Sequence, residues 1–178
     1  MTPPGPPAKD RPSDAASASE RPAQLFLYTD GASSGNPGPA SAAAVLKDAD
    51  GDTLLEKARA FGPATNNVAE YQALILGLRM AAELRPRLLT IRTDAELVVR
   101  QLAGQYKVKA PGLKPLYRKA RRLLEPFEAV EIEHIPRSAN AEADKLARKA
   151  LEKSRRVDAE LPPDARKTAG LRKKFRLK

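Results

Sequence analysis

The sequence predicts an α/β layered domain: a mixed five-stranded sheet, three antiparallel strands followed by two parallel ones, with helices on both faces. Three observations carry this. Hydrophobic periodicity gives the element order βββ-α-β-α-α-β-α. The first three strands are joined by short links, which makes them antiparallel neighbours. The fourth strand is reached through a helix, and such a crossing sets it parallel to the first. With 178 residues, the chain is long enough for one domain with a real core.

Residues 1–22 hold six prolines among Ala, Ser and Lys, with no periodicity, and read as a disordered leader. The domain proper is expected over 23–154. AQLFLYT (23–29) is a compact apolar run ending at Asp30-Gly31, a central strand. GASSGNPGP (31–39) is a loop by composition, and ASAAAVLKD (40–48) is a second strand. DADGD (48–52) is a hairpin turn with Asp50-Gly51 at its tip, leading into a third strand, TLLEKARAFG (53–62).

TNNVAEYQALILGLRMAAEL (65–84) is a helix, and the chain is organised around it. Asn67 is a good N-cap, with Glu70 at the capping-box spacing. Val68, Tyr71, Leu74, Ile75, Leu78 and Ala82 recur on one face, and Pro86 blocks continuation beyond about Arg85. LLTIRT (88–93) is the fourth strand, ending at Asp94, and AELVVRQLAG (95–104) is a short helix closed by Gly104. A basic loop (105–114) leads into an amphipathic helix (115–127) with Leu116, Leu123 and Leu124 inward. AVEIEHI (129–135) alternates as the fifth strand and contains the one histidine, His134. PRSAN (136–140) is a loop, and 141–154 is the last helix, with Leu146, Ala150 and Leu151 against the sheet. Residues 155–178 read as a flexible basic tail.

With no Cys and one His, thiolate metal sites and multi-histidine zinc sites are excluded. A metal ion would be held by oxygen, which favours Mg²⁺, Mn²⁺ or Ca²⁺. No segment resembles a signal peptide and no apolar run approaches a membrane span, so a monomer in a reducing cytoplasm, away from membranes, is expected. The net charge is +10, with nine basic and three acidic residues in 155–178. Residues 100–122 carry Arg100, Lys107, Lys109, Lys114, Arg118, Lys119, Arg121 and Arg122 with no acid. So dense a basic face fits a polyanion such as nucleic acid.

Asp30 and Asp94 close strands that should be parallel neighbours, roughly 5 Å apart in backbone position. Ligands of open α/β sheets bind at the carboxyl ends of strands. Glu70 and Asp144, on helices, can converge on the same place. Each acid also has a plainer use. Glu70 fits a capping box, Asp30 an Asx-turn, Asp94 a helix N-cap, and Asp144 an i,i+4 pair with Arg148. No neutralising basic residue stands in the immediate motifs, and four acids so placed point to a shared metal site. A silent nucleic-acid-binding module would gain nothing by clustering negative charge beside phosphates.

The residues resemble type 1 ribonuclease H. YTDGASSGNPGP (28–39), TNNVAEYQAL (65–74), IRTDAELVV (91–99) and PRSANAEADKLA (136–147) match that family's four ordered motifs over about 23–153. The resemblance implies the ribonuclease H-like fold and a four-carboxylate site of Asp30, Glu70, Asp94 and Asp144. It implies hydrolysis of the RNA strand of an RNA/DNA hybrid to 5′-phosphate and 3′-hydroxyl ends. Two Mg²⁺ about 4 Å apart would serve it, with Mn²⁺ as substitute. Asp30 would bridge the ions, Glu70 and Asp94 would hold one and Asp144 the other. Ser34, Asn36, Asn66 and Gln72 are candidates for reading sugar edges, where the 2′-OH distinguishes RNA, and Thr65 and Asn66 for a DNA-strand phosphate. Lys107, Lys109 and Arg118 are candidate backbone contacts.

The chain departs from the family pattern in three ways. Arg137 stands in the loop where many members have a histidine, seven residues before Asp144, and is expected to contact phosphate in its place. The Trp-rich basic protrusion is missing, as in the short branch, some members of which also accept RNA/RNA duplex. Ala95 replaces the usual Ser after the third acid.

Overall fold

The computed structural model describes residues 21–160. The elements are β1 (Gln24–Ser33), β2 (Gly38–Lys47), β3 (Thr53–Ala64), α1 (Asn66–Leu84), β4 (Leu88–Thr93), α2 (Glu96–Leu102), α3 (Lys114–Leu124), β5 (Ala129–His134) and α4 (Ala141–Glu160), with a 3-10 turn at Arg137–Asn140. The sheet order is β3-β2-β1-β4-β5. β1–β2 and β2–β3 are antiparallel, and β1–β4 and β4–β5 parallel, as expected. The β1–β4 register pairs Tyr28 with Arg92, so Asp30 and Asp94 lie two residues further along neighbouring strands.

The two faces bury different chemistry. On one, Leu25 and Leu27 of β1 and Leu89 and Ile91 of β4 pack with Tyr71, Leu74 and Leu78 of α1. Leu116, Leu123 and Leu124 of α3 close that layer as partly buried residues. On the other, α4 lies over β1, β2 and β3 through Ala143, Ala147 and Leu151. Here the Ser41 hydroxyl donates to the Ala147 carbonyl at 2.7 Å. Leu146 and Ala150 are only half-buried, so the α4 contact face is rotated slightly from the expected one. β2 is almost wholly buried, and its small residues Ala40, Ser41, Ala42, Ala43 and Ala44 let helices approach from both sides.

Several boundaries move. β1 continues to Ser33 because Gly31, Ala32 and Ser33 pair with Ala42, Ser41 and Ala40. The expected loop 31–39 therefore shrinks to 34–37, and Asp30 sits inside a strand rather than at its end. The α1 N-cap is Thr65, whose Oγ1 accepts from the Val68 N–H at 3.3 Å, not Asn67. Glu70 is therefore free of any capping box. At the far end of α1, Arg85 closes the helix in the left-handed region (φ 48°). α3 ends at Leu124 rather than 127. α4 runs on to Glu160, so residues 155–160 of the expected tail are helical. Residues 1–20 of the expected leader and 161–178 of the tail lie outside the described residues; Arg21 anchors the entry to β1, its Nε donating to the Arg85 carbonyl at 2.8 Å. Among the described residues no helix is long and apolar enough to cross a membrane.

Candidate active site

Gly31 sets the site. A Cβ there would stand 2.3 Å from the Ala69 carbonyl carbon and the Glu70 nitrogen, so only glycine lets β1 meet the first turns of α1 this closely. The Gly31 N–H donates to Glu70 Oε2 at 3.0 Å, and Asn66 Nδ2 donates to Glu70 Oε1 at 3.4 Å. Glu70 is thus turned off its own helix and onto the strand that carries Asp30.

Asp30, Glu70, Asp94 and Asp144 all line one open cleft of about 520 Å³, with Asn66, Arg137, Arg148 and Leu151. Asp30 is 4% exposed and Glu70 7%. Burial, then the Asp94 and Asp144 charges, pushes Asp30 up to about 7. Burial, then Asp30 and Asp94, pushes Glu70 up to about 9. Both acids are raised chiefly by burial and further by the neighbouring carboxylates, so positive charge brought beside them would favour their ionised forms.

Asp94 is not the helix cap that its position allowed. The α2 cap is Ala95, without a side-chain bond. The Asp94 carboxylate instead accepts from Asn140 Nδ2 at 2.7 Å. Asn140 is 1% exposed, and the same Nδ2 donates to the Thr29 carbonyl at 2.9 Å. It ties the 3-10 turn to β1 and aims Asp94, and the sequence reading passed over it as part of a loop. Its Oδ1 is the one buried side-chain polar atom without a partner among the described residues.

Asp144 keeps the i,i+4 pair its spacing allowed, its Oδ2 meeting Arg148 Nε at 3.1 Å. It corrects the expectation that no basic residue of the motifs neutralises the acids, because its Oδ1 also accepts from Arg137 Nη2 at 2.5 Å. Among the described residues no three acidic or histidine side chains are gathered tightly enough to clasp an ion by themselves. His134 is the exposed last residue of β5, outside the cleft.

The other candidates scatter. Asn66 lines the cleft, and its backbone N–H donates to Asn36 Oδ1 at 3.2 Å, so Asn36, Thr65 and Asn66 form one cluster at the α1 start. Ser34 is in the exposed turn beside it. Gln72 points elsewhere, accepting from Arg59 Nη2 at 3.1 Å. Lys107 and Arg118 line a separate cleft with Tyr106, Lys114 and Tyr117, between α2 and α3, and Lys109 is in the loop next to it.

A family model described as Reverse transcriptase-like matches residues 28–150, a span that holds all four acids. Ribonuclease HI of Halobacterium salinarum is 42% identical over 133 residues, covering 75% of this chain and 67% of that protein. The chain belongs to the type 1 ribonuclease H family. Two further similarities qualify that membership. Bifunctional protein Rv2228c of Mycobacterium tuberculosis is 44% identical over 130 residues, but the chain spans only 36% of its length. The structure of LC11-RNase H1 in complex with an RNA/DNA hybrid superposes with a TM-score of 0.69 at 41% identity, covering 73% of this chain and 98% of that one. In this ribonuclease H domain, β1, α1, α4 and the turn after β4 each deliver one carboxylate to a single cleft.

Proposed function

We propose that this chain is a metal-dependent ribonuclease H, which hydrolyses the RNA strand of an RNA/DNA hybrid and leaves 5′-phosphate and 3′-hydroxyl ends. The carrying observation is the meeting of Asp30, Glu70, Asp94 and Asp144 in one cleft of a strongly basic protein. A surface evolved only to hold a polyanion would not place four carboxylates where the phosphates go. Two relatives support the substrate class, one named Ribonuclease HI and one solved with an RNA/DNA hybrid.

The donor set fits two hard divalent cations, Mg²⁺ with Mn²⁺ as substitute, because every candidate ligand is a carboxylate oxygen and, among the described residues, neither Asp30 nor Glu70 forms an ion pair. Asp30 would serve both ions, Glu70 and Asp94 one, and Asp144 the other. Such ions supply an activated water and neutralise charge on the leaving oxygen. The protein does the rest. Asn140 holds the Asp94 carboxylate in place. Arg137 and Arg148 keep Asp144 neutralised until a substrate phosphate offers the guanidiniums another anion. Arg137, on an exposed turn, then contacts phosphate without moving protons. The Asn36, Thr65 and Asn66 cluster, with Ser34, borders the strands at the cleft, and Lys107, Lys109 and Arg118 hold the backbone further out.

Labelled RNA/DNA, RNA/RNA and DNA/DNA duplexes, each with Mg²⁺, Mn²⁺ or chelator, test this. Ion-dependent cleavage of the RNA strand in the hybrid is expected. Cleavage that survives chelation, or cutting of DNA/DNA alone, would refute it. The RNA/RNA arm decides whether that duplex is a second substrate.

A further inference from the structure

α4 outruns the sheet it packs on. Its buried residues, Ala143, Ala147 and Leu151, stop at Leu151. From Glu152 to Glu160 the helix is exposed, apart from half-buried Ser154. Leu151 lines the catalytic cleft with Asp144 and Arg148, so the helix leaves the body of the domain at the cleft itself.

Positions 144, 148 and 151 step by four and three, which is one stripe of a helix. The next step of that stripe is Arg155. About 16 Å of helix separate it from Asp144 at 1.5 Å per residue, within one turn of a duplex, about 34 Å. Arg155 is exposed, and no described carboxylate pairs with it. The remaining basic residues of α4, Lys145, Lys149, Lys153 and Arg156, form a second stripe, about a third of a turn round the axis from the first.

We propose that the cleft-side stripe of α4, ending in Arg155, is a track for phosphates of the strand that leaves the cleft. One helix then supplies a cleft carboxylate at its base and a grip on the duplex at its tip. This rests on the ribonuclease reading for its substrate class, a nucleic-acid duplex. Its direction is what the two stripes make testable: general positive charge would act from either stripe, and a track from one.

The experiment titrates the full chain with an RNA/DNA hybrid in chelator, over a salt series, and compares Arg155→Glu and Arg155→Gln with Lys153→Glu. Arg155→Glu should weaken binding about tenfold at low salt and reduce the salt slope by about 1, one phosphate contact. Arg155→Gln should lose about threefold. Lys153→Glu should stay within about twofold. In the presence of Mg²⁺, KM should rise with kcat unchanged. Equal losses from Arg155 and Lys153, or none from either, would overturn the track, as would a fall in kcat alone. A wild type that binds the hybrid without cutting it removes the ribonuclease reading and leaves the track to the binding data. One that does not bind at all removes both.

Discussion

The main-chain N–H of Gly31 donates to the carboxylate of Glu70 at 3.0 Å, tying the strand that carries Asp30 to the helix that carries Glu70. The bond exists because Gly31 has no Cβ to hold the α1 backbone away. Gly31→Ala should therefore separate β1 from α1. Overpacking of this kind costs about 1–3 kcal/mol, and the displaced Glu70 should remove most activity. Urea unfolding and single-turnover cleavage read the two effects. An alanine variant with wild-type stability and rate would contradict the close approach.

Asp30→Asn should abolish cleavage and leave hybrid binding within a few-fold. It should also change how stability depends on pH in metal-free protein. Asp30 is raised to about 7 in the folded state. An acid raised in this way contributes stability that is present below its unfolded value, about 4, and lost as pH rises through the folded one. The wild-type Tm in chelator should thus fall between pH 5 and pH 8, and the Asn variant should fall less, because its side chain never ionises. Glu70, raised to about 9, should carry the wild-type decline beyond pH 8. Mg²⁺ should restore the wild type at pH 8 more than the variant. Parallel Tm curves in chelator would contradict this.

Asn140→Ala removes a buried donor from both Thr29 and Asp94. The loss should cost about 1–3 kcal/mol and lower kcat as Asp94 loses its orientation. Asn140→Asp should be worse at neutral pH and recover partly in acid, since it sets one carboxylate against another. Denaturation midpoints with matched kinetics at pH 6 and pH 8 check the ordering. An Asp variant as active as wild type at pH 8 would show that the bond to Asp94 is dispensable.

His134 is exposed and outside the cleft, while Arg137 is bonded to Asp144. His134→Ala should leave the cleavage rate within several-fold and stability nearly unchanged. Arg137→Ala should cut turnover tenfold or more, about 1.4 kcal/mol per tenfold. A collapse in the histidine variant, with the arginine variant near normal, would reverse these roles.

The four acids could be picked out because each sits in a local pattern: Asp30 before Gly after an apolar run, Glu70 near the start of a periodic helix, Asp94 after a β-branched strand, and Asp144 four residues before Arg148. What escaped was decided at a distance. β1 continues through a Gly- and Ser-rich stretch because β2 offers it pairing partners, a fact not written in residues 31–33 themselves. Thr65 and Asn67 are both capping residues by type. Thr65 takes the cap because β3 delivers the chain to it in extended conformation, ψ 160°. Asn140 carried no local sign, since its partners are 111 and 46 residues away in sequence. The i,i+4 spacing of Asp144 and Arg148 was readable, and the pairing followed it.

Asp30 lies within paired backbone, flanked by β2 and β4, and Glu70 is bolted to the same strand. Neither has a hinge. Asp144 starts a helix that is just as firmly seated, since its neighbours Ala143 and Ala147 are buried on the sheet and Ser41 bonds to the Ala147 carbonyl. Arg137 alone stands on an exposed turn. The four carboxylates are therefore set like stones in a fixed mount, and whatever adjustment a ligand demands falls first on that arginine side chain.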